Sequence, residues 1–232
     1  MTENHSSCIR VSDAGICCKC YSKNIIKNGT TKNRKQQYIC KNCHKRFIEF
    51  YTYKAYETDI NSKIIQLIKE GLGIRSIARI LQISTTTLLR RIISIAEGVI
   101  QPTISFHQTY ELDEMRFFIK NKANPMWLVY AINKNTKDVV SFCIGKRTNR
   151  TLNTVIKTLI YSNPEKIYTD KLRNYQYLIP KKIHVNKRFG TNSIERKNLN
   201  IRTHLKRLNR RTICFGKSLA ISNAVLKIYF WK

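Results

Sequence analysis

The chain has 232 residues, with 43 Lys and Arg against 14 Asp and Glu and a formal net charge of +29. Its 42% hydrophobic content, with 12 Tyr and 9 Phe, supplies a core and excludes a disordered basic polymer, while no run of about 18 apolar residues argues for a membrane span. Positive charge spread along the whole length selects polyanions, and nucleic acid is the partner class it fits.

Met1 to Ser7 shows no apolar run behind a charged start, so a secretory signal is not expected. The expected home is the cytoplasm, associated with the nucleoid, where eight cysteines would be mostly reduced or metal-bound. Three regions differ in texture: 1–57 is rich in cysteine and polar turns, 58–100 reads as three helices, and 108–232 alternates strand and helix patterns. The stretch Gln101 to His107, with Pro102, is the expected joint between the second and third.

In the first region Cys17-Cys18-Lys19-Cys20 and Cys40-Lys41-Asn42-Cys43 form two CxxC knuckles with nineteen residues between them. Each knuckle aims two sulfurs inward, and two knuckles give the four thiolates of a tetrahedral Zn²⁺ site, here Cys17, Cys20, Cys40 and Cys43. Cys18 is a possible substitute for its neighbour, although its spacing to Cys20 is wrong for a standard knuckle. Asn28-Gly29 predicts a hairpin turn, and Gln37-Tyr38-Ile39 a strand into the second knuckle, giving a zinc ribbon folded by its metal. Two other readings are weaker. Cys40 to His44 matches a haem-attachment pattern, which requires export and leaves the first knuckle unexplained, and no thioredoxin-like βαβ unit surrounds either pair.

In the second region Ile64, Ile65, Leu67 and Ile68 have the spacing of an amphipathic helix that ends at Gly71-Leu72-Gly73. A helix over Ile74 to Leu81 follows, then a turn at Gln82-Ile83-Ser84, then a helix capped by Ser84 or Thr85 and carrying Leu88, Leu89, Ile92 and Ile93. This is the spacing of a helix-turn-helix, whose second helix would present Thr85, Thr86, Thr87, Arg90 and Arg91 to DNA. A plain helical bundle with a solvated basic face has the same pattern.

In the third region Glu111 to Ile119, Trp127 to Ile132 and Val139 to Ile144 predict an antiparallel meander. A helix over Thr151 to Tyr161, a strand Lys166 to Asp170, a possible short strand Lys182 to Val185 and a basic helix Asn192 to Arg207 follow. Acids are scarce here, and Asp113, Asp170 and Glu195 fall on the first strand, the end of the fourth strand and the late helix. That order is the ribonuclease H-like plan, in which three carboxylates hold two Mg²⁺ or Mn²⁺ ions through hard oxygen ligands. Each acid alone also reads as ordinary: Asp113 as a strand acid on the surface, Glu195 as a first-turn helix acid favoured by the dipole. The expected architecture is α+β and multi-domain: zinc ribbon, helix-turn-helix and ribonuclease H-like domain.

The chain resembles the transposases of insertion-sequence family one, the InsA–InsB fusion type. The resemblance rests on the knuckles, Tyr51-Thr52-Tyr53, Ala78-Arg79-Ile80, Trp127 to Ala131, Gly145-Lys146-Arg147-Thr148 and Thr169-Asp170. Its most specific parts are Ile194 to Leu205 and Phe215-Gly216-Lys217-Ser218. The chain departs from the family pattern at Met115-Arg116-Phe117, where members often carry a tryptophan, and at Lys171-Leu172-Arg173. The resemblance implies a DDE enzyme with Asp113, Asp170 and, after twenty-four intervening residues, Glu195 as its acids. It also implies a basic residue two helical turns beyond the Glu, here Arg202, holding a phosphate near the metals. The N-terminal parts would grip the element's terminal inverted repeats, and Lys206, Arg207, Arg210 and Arg211 would track the backbone of double-stranded DNA. Joining two element ends to target DNA implies a homo-oligomer, at least a dimer. A non-catalytic DNA-binding repressor, or a ribonuclease H-like nuclease or resolvase, is the alternative.

Overall fold

The computed structural model describes residues 15–48, 54–209 and 214–232. Tyr51-Thr52-Tyr53, Arg210 and Arg211, singled out above, lie outside the described residues. The chain divides into two compact units, Met1–Ser62 with Arg79–Ile83, and Lys63–Ala78 with Ser84–Lys232.

The first unit contains an antiparallel three-stranded sheet of β1 (Ile25–Thr30), β2 (Gln36–Cys40) and β3 (Arg46–Ile48), in that order. Its small core joins Cys17, Cys40 and Phe47, with Tyr38 stacked on Phe47 at 5.9 Å between ring centroids. The hairpin turn is not at Asn28-Gly29. The chain reverses over Thr31 to Lys35, where Thr31 and Lys35 close the loop and Arg34 takes a positive φ of 59°. Gly29, at φ 72°, sits inside β1 where the register slips between Lys27 and Thr30. A glycine with positive φ makes a bulge as readily as a turn, so the Asn-Gly signal was right about the backbone and wrong about its use.

Three helices occupy the next stretch: α1 (Ile60–Lys69), α2 (Ile74–Ile80) and α3 (Thr85–Glu97). Ser84 is the N-cap of α3, its Oγ accepting from the Thr87 amide at 3.1 Å, which satisfies one of the free donors of the first turn. Leu88, Ile92 and Ala96 form the buried face of α3, one helical turn apart.

The second unit is built on a five-stranded sheet of β4 (Thr109–Phe118), β5 (Pro125–Asn133), β6 (Val139–Gly145), β7 (Lys166–Tyr168) and β8 (His184–Val185). The spatial order is β6-β5-β4-β7-β8, with β4, β5 and β6 antiparallel and β7 and β8 added parallel to β4. This is the mixed α/β order expected from the strand-strand-strand-helix-strand pattern. Helix α4 (Asn149–Tyr161) buries Leu152, Val155, Ile156 and Leu159 against Leu112, Val129 and Ala131, and α5 (Arg173–Leu178) adds Tyr175 to the same core. Helices α6 (Asn192–His204) and α7 (Leu219–Trp231) cover the opposite face. There Tyr130 stacks on Phe230 at 6.0 Å, and Trp231 Nε1 donates to the Val139 carbonyl at 2.7 Å.

The basic helix ends at His204, and Lys206–Leu208 forms a separate 3-10 turn. Helices α5 and α7 carried no expectation. Among the described residues no helix is long and apolar enough to cross a membrane.

Candidate functional site

The two knuckles meet. The Sγ atoms of Cys17, Cys20, Cys40 and Cys43 all lie within 4.8 Å of one another, with Cys17–Cys43 and Cys20–Cys40 each at 3.5 Å. Four sulfurs at about 2.3 Å from a tetrahedral Zn²⁺ stand about 3.8 Å apart, so the spacing fits that ion. Burial raises the Cys17 thiol, but amide donors from Lys19 and Cys20 and its sulfur neighbours hold it down to about 6. The Ser22 amide lowers the Cys20 thiol, yet Cys43, burial, Cys40 and Cys17 together push it up to about 12. Thiolates this close cannot all ionise unaided, and a bound cation removes the conflict. Cys18 stands outside the four-sulfur group.

The acids come together by sheet register. In the parallel ladder Glu111 pairs with Tyr168, and two residues further on, beyond the last pair, this sets Asp113 beside Asp170. Side chains alternate along β4. Glu111 and Asp113 face α6, while Leu112 and Glu114 face the layer of α4 and α5. One oxygen each from Asp113, Glu114 and Asp170 lie within 4.8 Å of one another, the spacing of a divalent cation site.

Glu195 and Arg202 line the same cleft of about 730 Å³ as Asp113 and Asp170, with Arg116, Arg147 and Trp127. Glu195 is thus on the cleft, but it is Glu114 that completes the carboxylate cluster. The exposed Glu195, in the first turn of α6, has its Oε1 turned back to accept from Thr191 Oγ1 at 3.0 Å.

Each acid has defined partners. Asp113 Oδ1 accepts from the Glu114 amide and Oδ2 from Asn198 Nδ2, both at 2.7 Å. Burial pushes its carboxyl up to about 7, with the charges of Glu114 and Asp170 adding to the rise and the amide and Asn198 opposing it. Asp170 Oδ1 accepts from the Leu172 amide at 2.9 Å. Glu114 is salt-bridged to Arg147 and accepts from Tyr175 Oη at 2.5 Å, so both of its oxygens are engaged. Burial and the Glu114 charge push the Tyr175 phenol well above its ordinary value, so it stays a donor.

Glu111 is the buried acid that sequence reasoning passed over. It is 1% exposed, its Oε2 accepts from the Ile194 amide at 2.8 Å, and Lys134 Nζ stands 3.7 Å from Oε1. Thr191, the N-cap of α6, makes no side-chain capping bond, so Glu111 satisfies a donor of that first turn from across the sheet. The one available signal was its i−2 relation to Asp113, which puts both on one face of the strand.

On α3, Thr85, Thr86 and Arg90 are exposed, and Thr87 and Arg91 are half-buried. Lys206 is exposed. Arg207 is half-buried, and burial lowers its pKa.

An acid-lined cleft along the second half of β4 and beyond the carboxyl end of β7, on a sheet of this order, is a layout that a cation-dependent enzyme domain can use. A family model described as IS1 transposase matches residues 108–232, 125 of the 232 residues, and the chain belongs to the IS1 transposase family. It is 37% identical over 122 residues to the insertion element iso-IS1n protein InsB of Shigella dysenteriae, a match covering 53% of this chain and 93% of that one. It is 34% identical over 130 residues to the insertion element IS1 4 protein InsB of Escherichia coli strain K12, covering 56% and 78%. Among solved structures, a simian T-cell lymphotropic virus intasome in complex with a PP2A regulatory subunit aligns at TM-score 0.40 and 16% identity, over 70% of this chain and 66% of that one. The HTLV-2 integrase catalytic core domain in complex with magnesium aligns at 0.38 and 17%, over 55% and 86%.

Proposed function

We propose that this transposase binds the terminal inverted repeats of its element as double-stranded DNA and catalyses cation-dependent strand cleavage and strand transfer. The observation that carries this reading is the meeting of Asp113, Asp170 and Glu195, from three separate elements, on one cleft. Asp113 and Asp170 would hold Mg²⁺ or Mn²⁺, with Glu195 supplying a further oxygen once it leaves Thr191. When bound, a pair of such ions activates the attacking oxygen and stabilises the leaving one.

The chain's own side chains supply the rest. Arg202 and Arg147 line the cleft and would meet the phosphates flanking the scissile bond, Arg147 with the donors that Glu114 leaves over, since fork-shaped donors match phosphate oxygens. Asp113 and Asp170 keep the cleft acidic, so the DNA backbone enters productively only with cations present. Thr85, Thr86, Thr87, Arg90 and Arg91 of α3 are assigned to the terminal repeat, and Lys206, Arg207, Arg210 and Arg211 to phosphate tracking. The cysteine cluster would hold a structural Zn²⁺. Two ends must be joined together, so the working form is a homo-oligomer, at least a dimer, operating in the cytoplasm on the nucleoid.

Purified protein, labelled terminal-repeat DNA and Mg²⁺ test the reading. Cleaved ends followed by joined strands are expected, and both vanish in Asp113→Asn and Glu195→Gln. Strand joining that survives either substitution sinks the catalytic assignment, and a product set of cleaved but never joined strands makes the protein a nuclease.

A further inference from the structure

On β5, Tyr130 is the cross-strand partner of Asp113 and is fully buried. Its Oη lies 2.9 Å from Asn198 Oδ1 and 3.2 Å from the Ile194 carbonyl. Asn198 in turn directs Nδ2 to Asp113 Oδ2 at 2.7 Å. These contacts form a directed chain: the phenol donates to the amide oxygen, which fixes the amide so that its NH₂ faces the carboxylate. Burial and the Asp113 charge hold the Tyr130 phenol protonated, so the direction does not reverse. The single phenol hydrogen is shared, more weakly, with the carbonyl of Ile194, whose amide donates to Glu111. The peptide groups on either side of Ile194 are thereby tied to the sheet immediately before Glu195.

From this geometry we infer that Asn198 and Tyr130 are positioning residues. They hold the Asp113 carboxylate in the orientation that receives a divalent cation, and they set the register of the helix that carries Glu195. Asp113 has two oxygens, of which Oδ1 is held by the Glu114 amide and Oδ2 by Asn198. Without Asn198 only the Glu114 amide holds the carboxylate, and its last torsion, a soft one, is no longer fixed from the Oδ2 side. Partners of this kind behind a ligating group are worth about 10–100-fold in metal affinity. This inference rests on the cation reading of the acid cluster.

The test is Mn²⁺ binding to the full chain, with one equivalent of Zn²⁺ present, followed by the electron paramagnetic resonance signal of free Mn²⁺. Asn198→Ala is expected to raise the binding midpoint about 10-fold or more, with the melting temperature and circular dichroism near those of the parent. Tyr130→Phe, which removes one oxygen, shifts the midpoint in the same direction by less. The double variant binds only slightly more weakly than Asn198→Ala alone, because Tyr130 reaches Asp113 only through Asn198 and its contact with the Ile194 carbonyl is the longer one. Shifts that multiply in the double variant, or a parental midpoint in Asn198→Ala, overturn the inference. Should Asn198→Ala fail to fold, Tyr130→Phe with parental circular dichroism and a parental midpoint also overturns it. Asp113→Asn is the control: if it binds Mn²⁺ normally, the cation reading itself fails and takes this inference with it. If it loses Mn²⁺ while Asn198→Ala does not, only the inference fails.

Discussion

Replacing Glu111 by Leu removes a buried acceptor while keeping most of its volume. The Ile194 amide, paired at 2.8 Å, then has no acceptor from the sheet, and it sits in the first turn of α6, where donors have no helical partner. An unmet buried donor costs about 1–3 kcal/mol. Loss of a charged group at a helix N-terminus in a part-buried setting adds about 1–2 kcal/mol. At 1% exposure solvent screens neither effect. Lys134 keeps the Gly190 carbonyl at 3.0 Å and the Tyr168 ring at 3.6 Å, so its lost salt bridge adds little. The sum is about 2–5 kcal/mol, which at about 2–4 °C per kcal/mol for a chain of this size lowers the melting temperature by about 5–20 °C. Glu111→Gln retains an acceptor oxygen for the amide and loses the charge, so it costs about 1–2 kcal/mol. Thermal denaturation followed by circular dichroism reads both. Equal melting temperatures for the Leu and Gln variants, or a Leu variant within a degree of the parent, would show that α6 is not held by this bond.

The Asp113 carboxyl stands at about 7 in the fold against an ordinary 3.8. Without divalent cation its contribution to stability is full below pH 4, declines as the unfolded chain ionises, and is gone above pH 7, by up to about 4 kcal/mol. Melting at pH 5 and pH 8 should show this slope, and Asp113→Asn should flatten it and be the more stable form at pH 8; an unchanged slope assigns it to other groups. Gly71 has a φ of 78°, and a Cβ there would lie 2.3 Å from the His204 carbonyl oxygen, so Gly71→Ala should cost about 1–2 kcal/mol for the left-handed backbone and more for the clash. A melting temperature equal to the parent's would mean that the backbone here adapts freely. Cys40→Ser removes one of four sulfurs and should abolish stoichiometric Zn²⁺ binding and the amide-exchange protection of β1–β3, with the acid-cleft unit still folded. Retained protection in that variant would show that the sheet stands without its metal.

Much of this was legible along the chain because it rests on local rules. The knuckles, the Ser84 cap and the meander strands are set by spacing, capping chemistry and alternation, each spanning a few residues. Helix α7 escaped because it is buried on several sides, at Ser222, Ala224, Val225, Leu226 and Ile228, and so lacks the polar stripe that betrays an amphipathic helix. The short α5 shows one buried residue, Tyr175, too few for a period to appear.

The sequence by itself determined that acids would stand on the first strand, at the end of the fourth and in the late helix, and that four cysteines would pair as knuckles. It set Glu111 and Glu114 on either side of Asp113, whose choice over them leaned most on the family resemblance. Tertiary structure separated them. The parallel register puts Asp113 beside Asp170, alternation sends Glu114 toward Arg147 and Tyr175, and Glu111 is buried beneath α6 as its anchor. The reason is that a carboxylate's role depends on which partners surround it, and those partners come from residues up to 85 positions away, as Asn198 does for Asp113.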